Sequence, residues 1–243
     1  MANEIVKYGN PLNSVPFRKF TSNEMDLFFA ICSKMKNKGI DSVRFDFHQL
    51  KKLSNYKPTA TARFSNDLEN TYKKMLSLTY GKHENGRKEY FVLFTGFEID
   101  ENESYVDISV NPKLSPLLNE LTNNFTRFEL EEFTQLKSGY AKSMYRLLKQ
   151  FRTTGFYLVS IEEFKRLLDV PLSYKTMSKI DEKILMPIEK ELSNLFNDFV
   201  IKKIKKGRGQ GGKVVQLQFT FNERKSVPLH NWLEEWVFYG KNN

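Results

Sequence analysis

One glycine-rich stretch of the sequence has the residue spacing of two nucleotide-binding motifs. It lies in KKIKKGRGQGGKVVQLQF, residues 202–219, where Gly207, Gly212 and Lys213 satisfy G-x-x-x-x-G-K, the pattern of a phosphate-binding loop. Gly207, Gly209 and Gly212 also satisfy G-x-G-x-x-G, the pattern of dinucleotide-binding folds. In both folds, backbone amides at the start of a helix bind phosphate oxygens. The chemistry that this stretch suggests is therefore phosphate recognition.

The residues after these glycines fit neither fold. A phosphate-binding loop needs a Ser or Thr after the lysine to bind Mg²⁺, and then a helix, but Val214 follows Lys213. The segment VVQLQFTF alternates apolar and polar residues, which is typical of a strand. We therefore attribute both matches to chance and predict a glycine-rich turn between two strands. A phosphate-binding-loop NTPase is kept as an alternative.

Positive charge is concentrated around the same glycines. The chain has a net charge of +9 and a pI near 9.4, which indicates a polyanionic partner. Residues 121–243 carry 21 basic and 14 acidic side chains, so most of the excess lies in the second half. Six basic residues without an acidic one follow each other near the glycines: Lys202, Lys203, Lys205, Lys206, Arg208 and Lys213. We expect them to contact DNA phosphates; an ordinary solvated hairpin is the alternative.

Composition limits the class of protein. Hydrophobic residues make up 40% of the chain and aromatic residues 14%, which is enough for packed cores. The mean hydropathy of −0.52 and the lack of a long apolar run predict no membrane span. The first residues do not have the pattern of a secretory signal, and Cys32 is the single cysteine, so we expect a protein of the reducing cytoplasm. Cys32 lies in an apolar helical pattern, which favours a buried core position.

The residue types needed for metal-dependent catalysis are sparse. A rolling-circle nickase requires a His-x-His pair of metal ligands beside a nucleophilic tyrosine, but His48, His83 and His230 are widely separated. No H-E-x-x-H motif occurs. We therefore predict that the protein is not an enzyme and that it uses no metal and no cofactor, with a nickase as an alternative.

The elements that position these residues repeat once along the chain. Capping boxes at Thr21–Glu24 and Ser160–Glu163 each predict the start of a helix. In the first half, the patterns predict helices at 22–38, 45–55 and 58–79, a turn at Asn85-Gly86 and a strand at Tyr105–Val110. In the second half, they predict helices at 138–152, 160–169 and 175–196, and a hairpin of Phe199–Ile204 with Val214–Phe221. Pro187 is expected to kink the last of these helices.

This order predicts an α+β fold of two tandem winged-helix domains, each a three-helix bundle with a β-hairpin wing. We place the N-terminal domain at 1–122, for dimerisation and DNA contact, and the C-terminal domain at 123–222, for most of the DNA binding. Residues 223–243 form a tail. Its apolar residues have the spacing of a short amphipathic helix, which we expect to dock on the second domain: Leu229, Trp232, Leu233, Trp236 and Val237.

Winged-helix proteins bind DNA with the third helix in the major groove and the wing on the backbone. On the first long helix, the side opposite the apolar stripe carries Thr59, Arg63, Asn66, Asn70 and Lys73. On the second, it carries Lys175, Lys179, Glu182, Lys183 and Met186. Arg and Asn suit base edges, whereas Lys and Thr suit phosphates. We also place Lys142, Arg146 and Lys149 together on the outer side of helix 138–152, where they contact the DNA backbone or are solvated.

Several motifs resemble those of a known family, the iteron-binding plasmid replication initiator (Rep) proteins. These motifs are NPLN at Asn10–Asn13, YAKSMYRLL at Tyr140–Leu148, Tyr174, ILMPIEKEL at Ile184–Leu192 and NDFV from Asn197. The resemblance covers residues 5–222. The motifs of the second half are the more specific ones, because the first half resembles the family mainly in layout.

The resemblance implies a sequence-specific initiator of plasmid replication and copy control. Such a protein binds directly repeated origin sequences, called iterons, in double-stranded DNA and helps to open the origin. The resemblance also implies a homodimer, formed through the first domain, in equilibrium with the monomer, and repression of its own gene by the dimer. Its implied partners are the host initiator, helicase or primase. The alternative is a two-domain winged-helix transcriptional regulator without a role in replication.

Overall fold

A computed structural model describes residues 4–17, 19–39, 41–57, 60–119, 121–207 and 212–224, without the side chains of residues 80 and 82–84. The helices are α1 (Ser22–Met35), α2 (Phe47–Leu53), α3 (Thr61–Met75), α4 (Leu130–Gln135), α5 (Gly139–Gln150), α6 (Ile161–Leu167), α7 (Met177–Ile180) and α8 (Met186–Leu192). The strands are β1 (Ile5–Gly9), β2 (Val43–Asp46), β3 (Thr79–Glu84), β4 (Arg87–Val92), β5 (Phe94–Asp100), β6 (Tyr105–Val110), β7 (Phe125–Glu129), β8 (Phe156–Ser160), β9 (Phe196–Lys206) and β10 (Lys213–Glu223).

Two units with the same topology follow each other. The first unit contains α1 to α3 with the sheet β2-β6-β5, and the second contains α5 to α8 with the sheet β8-β10-β9. In both units the order is helix, strand, helix, helical segment, strand, strand, and the first strand pairs with the last. This is the winged-helix arrangement, so the predicted fold class is confirmed.

Local sequence determines where most helices begin. The Thr21 side chain accepts a hydrogen bond from the backbone N–H of Glu24, and the Glu24 side chain accepts one from the N–H of Thr21, which completes the predicted capping box of α1. Ser160 caps α6 by accepting a hydrogen bond from the backbone N–H of Glu163, which is one of the two bonds of the predicted capping box. The predicted start of the second helix was wrong, because Phe45 belongs to β2 and Asp46 is the cap of α2.

The hairpin at Asn85-Gly86 is an addition to the first unit. Both residues have positive φ, 48° and 77°, as a tight two-residue hairpin turn requires. The turn was predicted correctly, but β3 and β4 pair only with each other and form a separate two-stranded sheet among the described residues. The wing of the first unit is the next pair of strands, β5 and β6.

The two units share one core. Strand β1 pairs with β7 from Ile5↔Glu129 to Gly9↔Phe125, which ties the start of the chain to the segment between the units. Phe29 of α1 packs against Phe128 and Phe133, with ring centroids 5.7 and 4.8 Å apart. Cys32 is fully buried on the same helix, as predicted. Aromatic rings of α1, β7 and α4 therefore pack together where the two units meet, and we call this region the joint.

Pro187 lies at the start of the last helical segment, directly after a π-helical turn at Asp181–Leu185. The long helix predicted at 175–196 runs from Met177 to Leu192 and consists of α7, this turn and α8. A proline has no N–H to donate, and its ring crowds the preceding turn. A π turn is wider than an α turn. We expected a kink at Pro187; the helix instead accommodates the proline with a wider π turn just before it.

Candidate nucleic-acid interface

The wing of the second unit is a long, basic hairpin. Strands β9 and β10 pair from Glu223↔Phe196 to Lys213↔Lys206, so the predicted hairpin is confirmed and extends further than predicted. All five described lysines predicted to bind DNA here are exposed: Lys202, Lys203, Lys205, Lys206 and Lys213. Arg208 lies outside the described residues. Since strands flank the glycines on both sides, the loop does not have the strand-to-helix context of a nucleotide-binding loop.

Glycine allows the two arms of the wing to approach each other closely at Gly207 and Gly212. Gly207 has φ of 120°, a conformation that other residues rarely adopt. A Cβ atom on Gly207 would lie 3.5 Å from the Cα of Gly212, on the other arm of the wing. Lys206 and Lys213, directly opposite each other, therefore bring two positive charges to the narrow end of the hairpin.

The third helical segment of the second unit lies beside this wing. Glu182 and Lys183 of this segment are exposed, and Lys179 is half-buried. Lys175 is exposed too, but the prediction that it lies on the helix is wrong, because the helix begins at Met177 after its cap Thr176. Glu182 lies 2.6 Å from the Nζ of Lys183 and 3.8 Å from that of Lys179, and these lysines hold its pKa below the ordinary value, mainly through the hydrogen bond from Lys183. An ion pair of 2.6 Å between Lys203 and Asp181 joins the wing to the π turn. Helix and wing thus form one continuous basic surface.

Met186 adds an apolar side chain to this surface. It is 61% exposed and follows Lys183 on the outer side of the helical segment. The inner side of the same segment carries Ile180, Ile184 and Ile188, all buried. An exposed methionine among lysines can contact a thymine methyl group, whereas the lysines can contact phosphates or guanine.

The corresponding helix of the first unit, α3, also presents its predicted face to solvent. Arg63, Asn66, Asn70 and Lys73 are all exposed, while Phe64 and Leu68 are buried. Lys73 forms an ion pair of 2.6 Å with Glu69, one turn earlier. Thr59 lies outside the described residues. DNA contact by these four residues stays a prediction.

The wing of the first unit differs in charge from that of the second. Its turn carries Asp100, Glu101 and Glu103, and Asp100 accepts hydrogen bonds of 2.9 Å from the N–H groups of Asn102 and Glu103. Acidic side chains repel phosphates. The neighbouring β3-β4 hairpin instead exposes Arg87 and Lys88, which our sequence reasoning did not select. Their position directly after a hairpin turn was the signal that could have identified them.

These features match a known family of proteins. A family model described as "Initiator Replication protein, WH1" matches residues 5–149, and one described as "Initiator Rep protein, WH2" matches residues 160–221. The chain belongs to the family of initiator replication proteins. A probable replication protein Rep of Bifidobacterium longum (strain NCC 2705) is 38% identical to this initiator over 231 residues, which are 94% of this chain and 76% of that protein.

A solved structure has the same fold as this initiator. The Pi initiator protein, determined in complex with iteron DNA, superposes with a TM-score of 0.74 over 93% of this chain and 100% of that chain. The two sequences are 14% identical, so the similarity concerns the fold.

The motifs that resemble the Rep family meet at α5 of the initiator. Arg146, from YAKSMYRLL, donates hydrogen bonds of 3.0 and 2.7 Å to the carbonyl oxygens of Leu12 and Val15, at the NPLN turn. Glu191, from ILMPIEKEL, accepts a hydrogen bond of 2.7 Å from the backbone N–H of Lys137, just before α5. The YAKSMYRLL and NPLN motifs therefore join the two units, whereas ILMPIEKEL holds the start of α5 within the second unit.

Three residues that we predicted to bind DNA are part of this joint. Lys142 and Arg146 are completely buried and Lys149 is 3% exposed, so the prediction that they lie on the outer side of α5 is wrong. The prediction failed because it assumed that a polar helix face is solvated, whereas α5 is covered on that face too. Buried cations need partners. In this initiator, each of the three buried cations has its own hydrogen-bond or ion-pair partners.

The partners come from different parts of the chain. Lys142 forms an ion pair with Asp26 of α1 and donates a hydrogen bond of 3.0 Å to the carbonyl oxygen of Phe133. Lys149 lies 2.8 Å from Glu223, 3.2 Å from Glu132 and 3.6 Å from Glu129. Burial lowers the pKa of Lys149, but these carboxylates together raise it above the ordinary value. Lys142 therefore connects α5 to the first unit, and Lys149 connects it to the end of β10.

Other kinds of site are not seen in the described residues of the initiator. Among them, no three His, Cys, Asp or Glu side chains are grouped so as to hold a metal ion. None of the described helices is long and apolar enough to cross a membrane.

Proposed function

We propose that this initiator binds double-stranded DNA mainly through its second unit. The observation that carries the proposal is the continuous basic surface formed by the wing, by Lys179 and Lys183 of the helical segment, and by Lys175 just before it. A helix in the major groove and a wing on the backbone is the arrangement in which winged helices bind DNA. Lysines on the wing neutralise phosphates in any sequence, whereas the helical face contacts base edges.

The first unit supplies a second contact. Arg63 and Asn66 on α3 have the side chains best suited to guanine and adenine edges, and Lys73 and Asn70 extend the face towards the backbone. Because the β5-β6 wing is acidic, Arg87 and Lys88 of the β3-β4 hairpin take the phosphate contact in this unit. One monomer then covers two successive major grooves, about 34 Å apart.

The sequences bound are the direct repeats of a plasmid origin. Support comes from the family of the chain and from the Pi initiator, whose structure contains iteron DNA. Monomers bound side by side on such repeats help to open the origin. Recruitment of the host initiator, helicase or primase completes initiation.

A homodimer, in equilibrium with the monomer, represses the initiator's own gene. This part of the proposal rests on the resemblance of the motifs to the Rep family alone. A transcriptional regulator without a role in replication would have the same type of DNA interface, but membership in a family of initiators favours replication.

Binding to labelled duplexes tests the proposal. One duplex carries two copies of a direct repeat taken from the DNA beside the gene, where such repeats are expected, and the other carries the same bases in shuffled order. We expect fluorescence anisotropy at 0.15 M salt to give an affinity at least about 10³-fold higher for the repeats, the lower range for specific DNA binders. Equal affinity for both duplexes would refute sequence-specific origin binding.

A further inference from the structure

One face of the β8-β10-β9 sheet is more apolar than a solvated sheet face should be. Phe156, Thr220 and Val200 form one row across the three strands, and Leu158, Gln218 and Lys202 form the next row. Directly paired residues in antiparallel strands point to the same side of a sheet. All six side chains therefore share one face, which we call the outer sheet face.

The opposite side of the same sheet is the core of the second unit. Tyr157, Phe219 and Ile201 alternate with the outer residues along the strands, and Phe219 packs on Phe164 of α6 with ring centroids 6.2 Å apart. The described helices that pack most closely on this sheet are α6 and α8.

The exposure of this face is considerable. Phe156 is 44% exposed, Leu158 41% and Val200 52%, and all three lie within two adjacent rows. When one face of an antiparallel sheet is solvated, its residues are mostly polar. Large apolar side chains exposed together on one face mark a surface that another segment or partner covers.

We propose that the C-terminal tail of this same chain, residues 225–243, covers the outer sheet face. The tail leaves the described structure from the right place. Strand β10 ends at Glu223, which pairs with Phe196, and Arg224 donates a hydrogen bond of 3.1 Å to Asn197. The row of Phe156 and Val200 is the apolar row nearest to this end of the strand, so a short turn brings the tail onto it.

The tail has the chemistry to cover this face. Five apolar residues recur at spacings of three and one, which is the stripe of an amphipathic helix: Leu229, Trp232, Leu233, Trp236 and Val237. Glu234 and Glu235 lie between them in sequence and on the other side of such a helix. The apolar stripe packs on Phe156, Leu158 and Val200, while the wing end with Lys206 and Lys213 stays open for DNA.

Tryptophan fluorescence reports on this contact directly, because the two tryptophans of the chain, Trp232 and Trp236, both lie in the tail. In the full chain we expect a blue-shifted emission maximum and slow quenching by acrylamide. The double variant Leu158→Gln/Val200→Gln should shift emission to the red and raise the quenching constant severalfold. The matched control is Leu172→Gln, which changes a 93% exposed leucine outside the sheet and should leave both values unchanged.

A second measurement leaves the apolar residues intact, in case the double variant fails to fold. Gln218→Cys is labelled with bimane, a dye that tryptophan quenches on contact, and Leu172→Cys is labelled as the control; Cys32 is buried and does not compete for the label. Quenching at position 218 alone, independent of protein concentration and without DNA, supports the proposal. Equal brightness at both positions, quenching that grows with protein concentration, or quenching that needs DNA would each overturn it.

Discussion

Lys206 and Lys213 face each other across the last described pair of residues in the wing. Like charges directly opposite each other destabilise an antiparallel pair of strands. Sequence and fold nevertheless bring both lysines to the end of the hairpin, next to Gly207 and Gly212. A DNA phosphate between the two ammonium groups would turn this repulsion into binding energy, which makes the pair a sensitive test of the interface.

The first prediction concerns these wing lysines. Lys206→Gln/Lys213→Gln should lower affinity for specific and shuffled duplexes alike, since phosphate contacts carry no sequence information. The slope of log K against log salt should become shallower by about 0.9 for each phosphate that the variant no longer neutralises. Anisotropy titrations at several salt concentrations measure both effects.

The control for the wing is Lys38→Gln, which removes an exposed lysine of the first unit. It should leave the salt slope unchanged. In addition, the wing variant should not unfold more easily than the unchanged protein, because the repulsion between the two lysines is gone. An unchanged salt slope in the wing variant would show that these two lysines do not bind phosphate.

The second prediction concerns base recognition by α3. Asn66→Ala should weaken DNA binding by about 1–3 kcal/mol, because it removes a contact to one base pair. The variant should also discriminate less between the four possible base pairs at that position. Lys73→Gln, on the same exposed face, serves as the comparison and should weaken binding to every sequence equally. Competition with duplexes that differ at single positions separates the two. Uniform weakening by Asn66→Ala would show that this residue of α3 makes no base contact.

The third prediction separates structure from DNA binding at α5. Lys142→Met leaves the carboxylate of Asp26 buried without its cation, which should lower the free energy of unfolding by about 3–5 kcal/mol. The double variant Lys142→Met/Asp26→Leu should recover most of that decrease. Urea unfolding measures stability, and DNA affinity of the folded fraction should be unchanged. The control variant Lys190→Met, at an exposed position of α8, should change the free energy of unfolding by no more than about 0.5 kcal/mol.

The fourth prediction concerns a glycine before β8. Gly155 has φ of 61°, and a Cβ atom on it would lie 2.3 Å from the carbonyl oxygen of Phe221. Gly155→Ala should therefore lower the free energy of unfolding by about 1–3 kcal/mol, because alanine is strained in this backbone conformation. The clash with Phe221 should lower it further. Gly139→Ala, with nothing within 4 Å, should be neutral or stabilising by up to about 1 kcal/mol. Equal thermal shifts for the two variants would contradict the structural role assigned to Gly155.

Periodicity and caps predicted the repeated layout, because both depend on residues close in sequence. The capping box at Thr21 and the strands on both sides of the glycine loop are of this kind. Strand pairing depends on distant residues, so β1 with β7 was not foreseen, nor that Asn85-Gly86 closes an extra hairpin.

The same reason explains the largest error at the site. Lys142, Arg146 and Lys149 form a polar stripe that looks solvated when only the helix is considered. Asp26 lies 116 residues from Lys142, and Glu223 lies 74 residues from Lys149. Only the fold brings these partners to α5. The exposed lysines of the wing could be predicted because a hairpin end has few neighbours.

Selection of bound duplexes from a random pool, followed by hydroxyl-radical footprinting of the selected site, tests the central claim most directly. We predict one repeat-like sequence in which a monomer protects two successive helical turns, with the second unit covering one and α3 of the first unit covering the other. Selection of no common sequence, or protection of a single turn, would contradict the claim that both winged-helix units of this initiator read DNA.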